Sequence, residues 1–423
     1  MKTVLRGSVA GLLDYGRTKL GRASSGLLGR SIHGGKFDGS TVNPVAIQMI
    51  DYALSLAHSL KSEESYAEGM LILEQCLSSG SNMDEVDMRS VHNSKGMALL
   101  AMSNLLFDRG KYGDAMDRLQ CVSRLAHASS GLRVSAMEAL AGVNLLLGDD
   151  NASSLIADKS MELLENDCHN GSLDEVHVRA TAVKGFVELA RGNVSSAEAF
   201  FSQMNSEKVA AGSTALSYGE FLHSTNRLTE ARKIYEKVIE DVAKTKDFSN
   251  INTLSACNME PKDILLAASC SLGQLDSHIG NFDAAEETLT KALNGAEQTF
   301  GSRHPKIGVV LTCLALMFRS KAKTENSSSL LIQEGLYRRA SELLKIPALG
   351  SEGEMGAATR NIAAIVRGGY AQILGIQEKR NAEAERMQKW ADSAWNNGRL
   401  SLADVLDSTS KLPVIDTRIC RAI

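Results

Sequence analysis

Apolar and polar positions follow one helical rhythm that returns several times along this chain. In residues 280–293, GNFDAAEETLTKAL, a bulky Phe282 stands two after the glycine, and Ala285, Leu289 and Ala292 stand five, nine and twelve after it. The same offsets from Gly110 reach Tyr112, Ala115, Leu119 and Val122; from Gly192, Val194, Ala197, Phe201 and Met204; from Asn226, Leu228, Ala231, Tyr235 and Val238. Offsets of five, nine and twelve are i, i+4 and i+7, one face of a helix. Seven residues before each turn stands a small residue: Ser103, Gly185, Gly219 or Gly273. A glycine inside a helix costs about 1 kcal/mol relative to alanine, so it needs a packing reason. Two antiparallel helices in close approach supply one, with Gly273 expected to face Ala285 while Phe282 and Leu289 fill the space on either side. Gly110, Gly192 and Gly280 then give the backbone its freedom at the helix end. The pattern predicts an all-α chain of helix pairs.

Looser copies extend the array. One has Ala57, a turn at Glu64, then Tyr66, Gly69, Leu73 and Cys76. A degenerate one covers residues 142–160, where NLLLGDDNASSLI departs from the pattern, and two more are expected over 305–346 and 369–395. These motifs resemble the tetratricopeptide repeat, a helix–turn–helix unit of about 34 residues. From Gly280 onward the chain is similar to the longer repeat of kinesin light chains, which also carries a His-Pro before the next helix, here His304-Pro305. The resemblance implies a right-handed superhelical α-solenoid of about six to eight stacked antiparallel pairs, some degenerate. It covers residues 45–400, followed by a capping helix and C-terminal tail over 401–423.

The resemblance also implies a function: a non-catalytic scaffold that binds a partner protein's peptide or helix in the concave groove. By that analogy His58, Asn104, Glu220 and Gln274 line the groove, with Leu54, Leu100, Leu216 and Cys270 one helical turn away. Relatives that clamp a chaperone's terminal carboxylate need a lysine ten before the turn; Leu54 and Leu100 stand there, so that docking mode is not expected. A stricter period and a basic chain would be needed for a pentatricopeptide-like RNA reader.

Composition agrees with helices. Only 5 prolines interrupt 423 residues, and aromatics make up 5%. Residues 1–36 differ from the rest: Lys2, Arg6, Arg17, Lys19, Arg22, Arg30 and Lys36 stand against the single acid Asp14. That basic, serine-containing, acid-poor stretch reads as an organellar transit peptide, with the mitochondrial matrix as first destination and the chloroplast as alternative. Without it the formal net charge is −10. An acidic body repels phosphate backbones, so nucleic acid is not an expected partner, although an organellar RNA-associated expression factor remains the alternative reading. No apolar run is long enough to span a membrane.

No catalytic constellation is visible, and the chain reads as no enzyme. Cys168, His169 and His177 lack a fourth ligand at familiar metal spacing, so no metal and no cofactor are expected. The cysteines are scattered, with Cys257 and Cys270 closest in sequence, and show no redox pair. The glycines of residues 29–39 follow no strand and lack the Lys-Ser/Thr ending of a phosphate loop.

Overall fold

The structure is a computed structural model that describes residues 42–78, 88–166, 174–204, 212–244, 260–350, 355–377, 380–407 and 411–423. The basic stretch 1–36, Cys168, His169 and Cys257 lie outside these residues. The first helices are α1 (Pro44–Leu60), α2 (Glu63–Ser78), α3 (Met88–Asp108), α4 (Tyr112–Ser123), α5 (Ser130–Leu146) and α6 (Asp150–Glu165). Next come α7 (Asp174–Ala190), α8 (Val194–Phe201), α9 (Gly212–Ser224), α10 (Leu228–Lys244), α11 (Pro261–His278) and α12 (Phe282–Phe300). The last are α13 (Pro305–Thr324), α14 (Leu330–Leu343), α15 (Ala357–Leu374), α16 (Asn381–Ala394) and the short α17 (Leu402–Leu406). Helices α1 to α16 pack in successive antiparallel pairs, so the described residues form an all-α solenoid of stacked units.

The turn chemistry repeats from unit to unit. At the α11–α12 corner Gly280 takes φ 83°, its N–H donates to Ser277 O at 3.1 Å, and the Asn281 N–H donates to Asp276 O at 2.9 Å. This pair of bonds, one three back and one five back, closes a helix on a left-handed residue. The same two bonds close α3 at Gly110, α5 at Gly148, α7 at Gly192 and α9 at Asn226. The 142–160 unit therefore has a regular turn. What departs there is side-chain size: Ser153 and Ala157 fill the buried positions, and Ser153 Oγ donates to Ala141 O at 2.8 Å. In the first pair the left-handed residue is Lys61, three positions before the expected Glu64, yet Gly69, Leu73 and Cys76 are the buried face as anticipated.

The small residues before each turn receive the side chain nine after it. A Cβ at Gly273 would lie 2.5 Å from Leu289 Cγ, one at Gly185 2.8 Å from Phe201 Cε2, and one at Gly219 2.7 Å from Tyr235 Cε1. Gly273 thus makes room for Leu289 rather than for Ala285. Ser103, Ala115, Ala197, Ala231 and Ala285 are fully buried in the same interfaces. Helix starts follow local rules: Pro44, Pro261 and Pro305 occupy the first turn of their helices, and His304 caps α13 by accepting from Lys306 N at 3.2 Å.

First and second helices of a pair are buried differently. Along α12 only Phe282, Ala285, Leu289, Ala292 and Ala296 are buried, a single stripe. On α11 nearly every residue from Asp263 to Ser277 is buried, which needs cover on two sides. The second cover comes from the end of the chain. After α17 packs on α15, residues 411–423 run back along the first helices and fold into a two-stranded hairpin, β1 (Ile415–Asp416) and β2 (Arg421–Ala422). Ile415 pairs with Ala422 and Asp416 with Arg421. Ile419 and Ile423 join the apolar core of the α7–α11 region, while Val414, Ile415 and Ala422 join that of α11–α15.

Candidate functional site

Glu220 and Gln274 come together on the inner, first-helix side of the stack, and both hold the chain's own C-terminal segment. Gln274 on α11 is almost fully buried. Its Nε2 donates to Ile415 O at 2.7 Å, and its Oε1 accepts from Val414 N at 2.9 Å and Ile415 N at 3.0 Å. One side-chain amide therefore satisfies three backbone groups of a passing segment. Glu220 on α9 is 1% exposed and accepts from the Arg418 guanidinium.

Arg418 is the centre of this site. Its Nη1 donates to Ser217 Oγ at 2.8 Å, its Nε donates to both Asp416 oxygens at 3.1 Å, and its plane lies 3.8 Å from the Phe186 ring centre. Burial alone would disfavour its charge, but Asp416 and Glu220 hold it protonated. Burial pushes the Glu220 carboxyl well above the usual carboxylate range; Arg418 pulls it back and Asp416 adds to the rise. Arg418 is shared between Asp416 and Glu220, and Glu220 Oε1 has no hydrogen-bond partner. Beside it Arg421 donates to Asp150 Oδ2 at 2.7 Å and to Leu145 O at 3.2 Å.

His58 and Asn104 lie elsewhere. Asn104 is buried on α3, and its Oδ1 has no partner. His58 Nε2 sits 3.1 Å from Asp108 Oδ2 and 3.7 Å from Glu260 Oε1, joining α1 and α3 to the start of α11. These three donor atoms lie within 4.8 Å of one another, a spacing that could suit a cation. Lys262 already neutralises Glu260, and Lys306 pairs with Asp263 beside it. Burial and the neighbouring Lys306 lower the His304 pKa to about 4. The arrangement is an ion-pair network in which Lys262 and Lys306 supply positive charge beside these carboxylates. Of the four residues expected in the groove, Glu220 and Gln274 thus share the C-terminal segment, while His58 and Asn104 stand apart from it.

Residues that the sequence pattern missed are Arg418, Asp416, Ser217, Phe186 and Asp150. The available signal was composition: VIDTRICRAI is aliphatic and arginine-bearing, unlike a solvated tail. Three thiols also converge. Cys270 and Cys313 lie buried on α11 and α13, and Cys420 of the hairpin packs against the same cluster. The Cys313 thiol, by hydrogen bonding, and burial push the Cys270 thiol well up, and burial pushes Cys420 up to about 11. Such thiols are poor nucleophiles while covered.

The family model for the tetratricopeptide repeat matches residues 265–306, which run from α11 through α12 to His304-Pro305. The match covers one helix pair, and together with the stacked pairs around it supports a tetratricopeptide-type repeat, a kind of unit generally used as a protein-interaction scaffold. Among curated proteins none matches the chain. No helix of the described residues is long and apolar enough to cross a membrane.

Proposed function

We propose that the chain is a non-catalytic interaction scaffold of an organelle, the mitochondrial matrix first and the plastid second. It receives an extended segment of a partner protein along the inner face of its helix pairs, in the assembly of a larger complex. One observation carries this reading: Gln274 reads the backbone of an extended segment in both directions, which recognises a peptide independently of its side chains. Ser217 and Glu220 beside it add selection for a cation.

The test uses a photo-crosslinking residue at Ser213 on the inner face, and another at the exposed Glu236 on α10, in isolated mitochondria. Crosslinks to another protein from position 213 support the groove. Crosslinks from position 236 alone move the binding surface to the outside and end this assignment. The organellar part rests on the basic residues 1–36, and N-terminal sequencing of the protein from organelles checks it: a start near residues 30–35 is expected, and an intact Met1 sinks it. Nucleic acid is excluded from the reading because a formal charge of −10 offers little counterion release. Micromolar RNA retention on filters near physiological salt would reverse that.

A further inference from the structure

The C-terminal hairpin has the features of a bound ligand. Among the described residues it forms no strand pairing with the body. It pairs with itself, with Ile423 N donating to Val414 O at 2.9 Å, and so enters the inner face as a folded unit. Side chains of the body grip it at a few points: Gln274, Glu220, Ser217 and Asp150. With the hairpin removed, the wall keeps the carboxylates of Glu220 and Asp150 without their arginines, beside the apolar surface that Ile419 and Ile423 cover. That wall calls for a basic, aliphatic segment. The hairpin's own fit is also incomplete, since Glu220 Oε1 and Thr417 Oγ1 are buried without partners. A buried oxygen without a hydrogen-bond partner costs the docked state, and a segment that supplied a donor there would recover that cost.

We propose that residues 411–423 are a built-in occupant of the inner face, and that the partner displaces them with a segment of the same chemistry: an aliphatic residue for the Ile415 place, and an arginine for the Arg418 place that meets Glu220. This inference rests on the groove reading above and names what the groove selects. It also explains why polar residues such as Glu220 and Gln274 stand on an inner wall that is otherwise core. Displacement uncovers Cys420, which gives a chemical readout of the hairpin's position.

The experiment uses the full chain and a fluorescent peptide with the sequence of residues 411–423, carrying serine in place of Cys420. Arg418→Glu in the full chain sets a carboxylate against Glu220 and weakens docking while leaving the wall intact. The unaltered chain is expected to bind the peptide at least tenfold more weakly than the variant does, by fluorescence anisotropy. In the variant, Cys420 should react with an aromatic disulfide reagent at least tenfold faster than in the unaltered chain. A peptide with glutamate at the Arg418 place should not bind either protein. If the variant's thiol reacts quickly and its circular dichroism keeps the helix content of the unaltered chain, yet it takes no peptide, the proposal is overturned. Should Arg418→Glu fail to fold, Arg418→Lys is measured in its place with the same outcomes required. If that chain also fails to fold, the hairpin is permanent core and the proposal falls. Peptide exchange without any crosslink from position 213 would leave this occupant in place and remove the partner reading. A crosslink without exchange would do the reverse.

Discussion

At the scale of single residues, the close approach of paired helices is set by glycine, and the structure separates glycines that are needed from those that are not. A Cβ at Gly273 meets Leu289 at 2.5 Å, whereas one at Gly295, exposed on the next helix, meets nothing within 4 Å. Gly273→Ala should therefore destabilise by roughly 1–3 kcal/mol through overpacking. Gly295→Ala should stabilise by roughly 0.5–1 kcal/mol, because it removes unfolded-chain entropy at no steric cost. Chemical denaturation of both variants checks this, and an equal loss would show that the helix contact is misassigned. Glu220 follows a different rule. Its burial against Arg418 means that Glu220→Lys places two cations together away from water, at a cost of about 3–5 kcal/mol. Such a variant changes stability before it changes binding, so it cannot serve as a neutral probe of the groove. Glu220→Gln, which keeps an acceptor for Arg418, should lose less than half as much in the same denaturation series.

At the scale of helices, α9 and α11 meet through a histidine pair. His223 Nε2 lies 3.0 Å from His278 Nδ1. Burial, and the partner ring for His223, hold both below the ordinary histidine range, with His278 at about 4. Between about pH 6.5 and 4 the unfolded chain takes up protons that the folded chain refuses. Stability therefore rises with pH across that window and levels off above it, by up to about 1.4 kcal/mol per pH unit for each histidine. His278→Gln should flatten the slope of stability against pH by up to about one proton between pH 6.5 and 4, by urea titration at several pH values. An unchanged slope would mean that His278 titrates normally. Pair geometry was largely legible from sequence because it is local. The turn at Gly280 and the stripe Ala285, Leu289, Ala292 lie within thirteen residues and recur. The unit around Gly148 was obscured because Ser153 and Ala157 replaced the larger markers while the backbone turn stayed the same. The site was not legible, since Gln274 and Ile415 stand 141 residues apart, and Arg418 and Glu220 198 apart. Periodicity reports which face of a helix is covered. It carries no record of which distant segment covers it.

At the scale of the whole unit, the hairpin changes how the solenoid should come apart. A repeat stack whose units touch only their neighbours can unravel piecemeal from its ends. Here, long-range contacts cross that order. Arg421 reaches the third pair at Asp150, Arg418 the fifth at Glu220, and Gln274 of the sixth holds Ile415. His58 of the first pair also reaches Glu260 at the start of the sixth. Each such contact is lost only when distant pairs separate, so the contacts favour one concerted transition over sequential fraying. The two tryptophans, Trp390 and Trp395, stand in or next to α16 and report the C-terminal pairs alone, while circular dichroism reports every helix. For the unaltered chain the two signals should fall together in urea, with one midpoint. Weakening the hairpin by Arg418→Glu should part them, because pairs no longer tied through the centre melt according to their own stabilities. Coincident curves in the variant would show that nearest-neighbour packing already makes the stack cooperative. Separated curves in the unaltered chain would show that the hairpin does not tie it together.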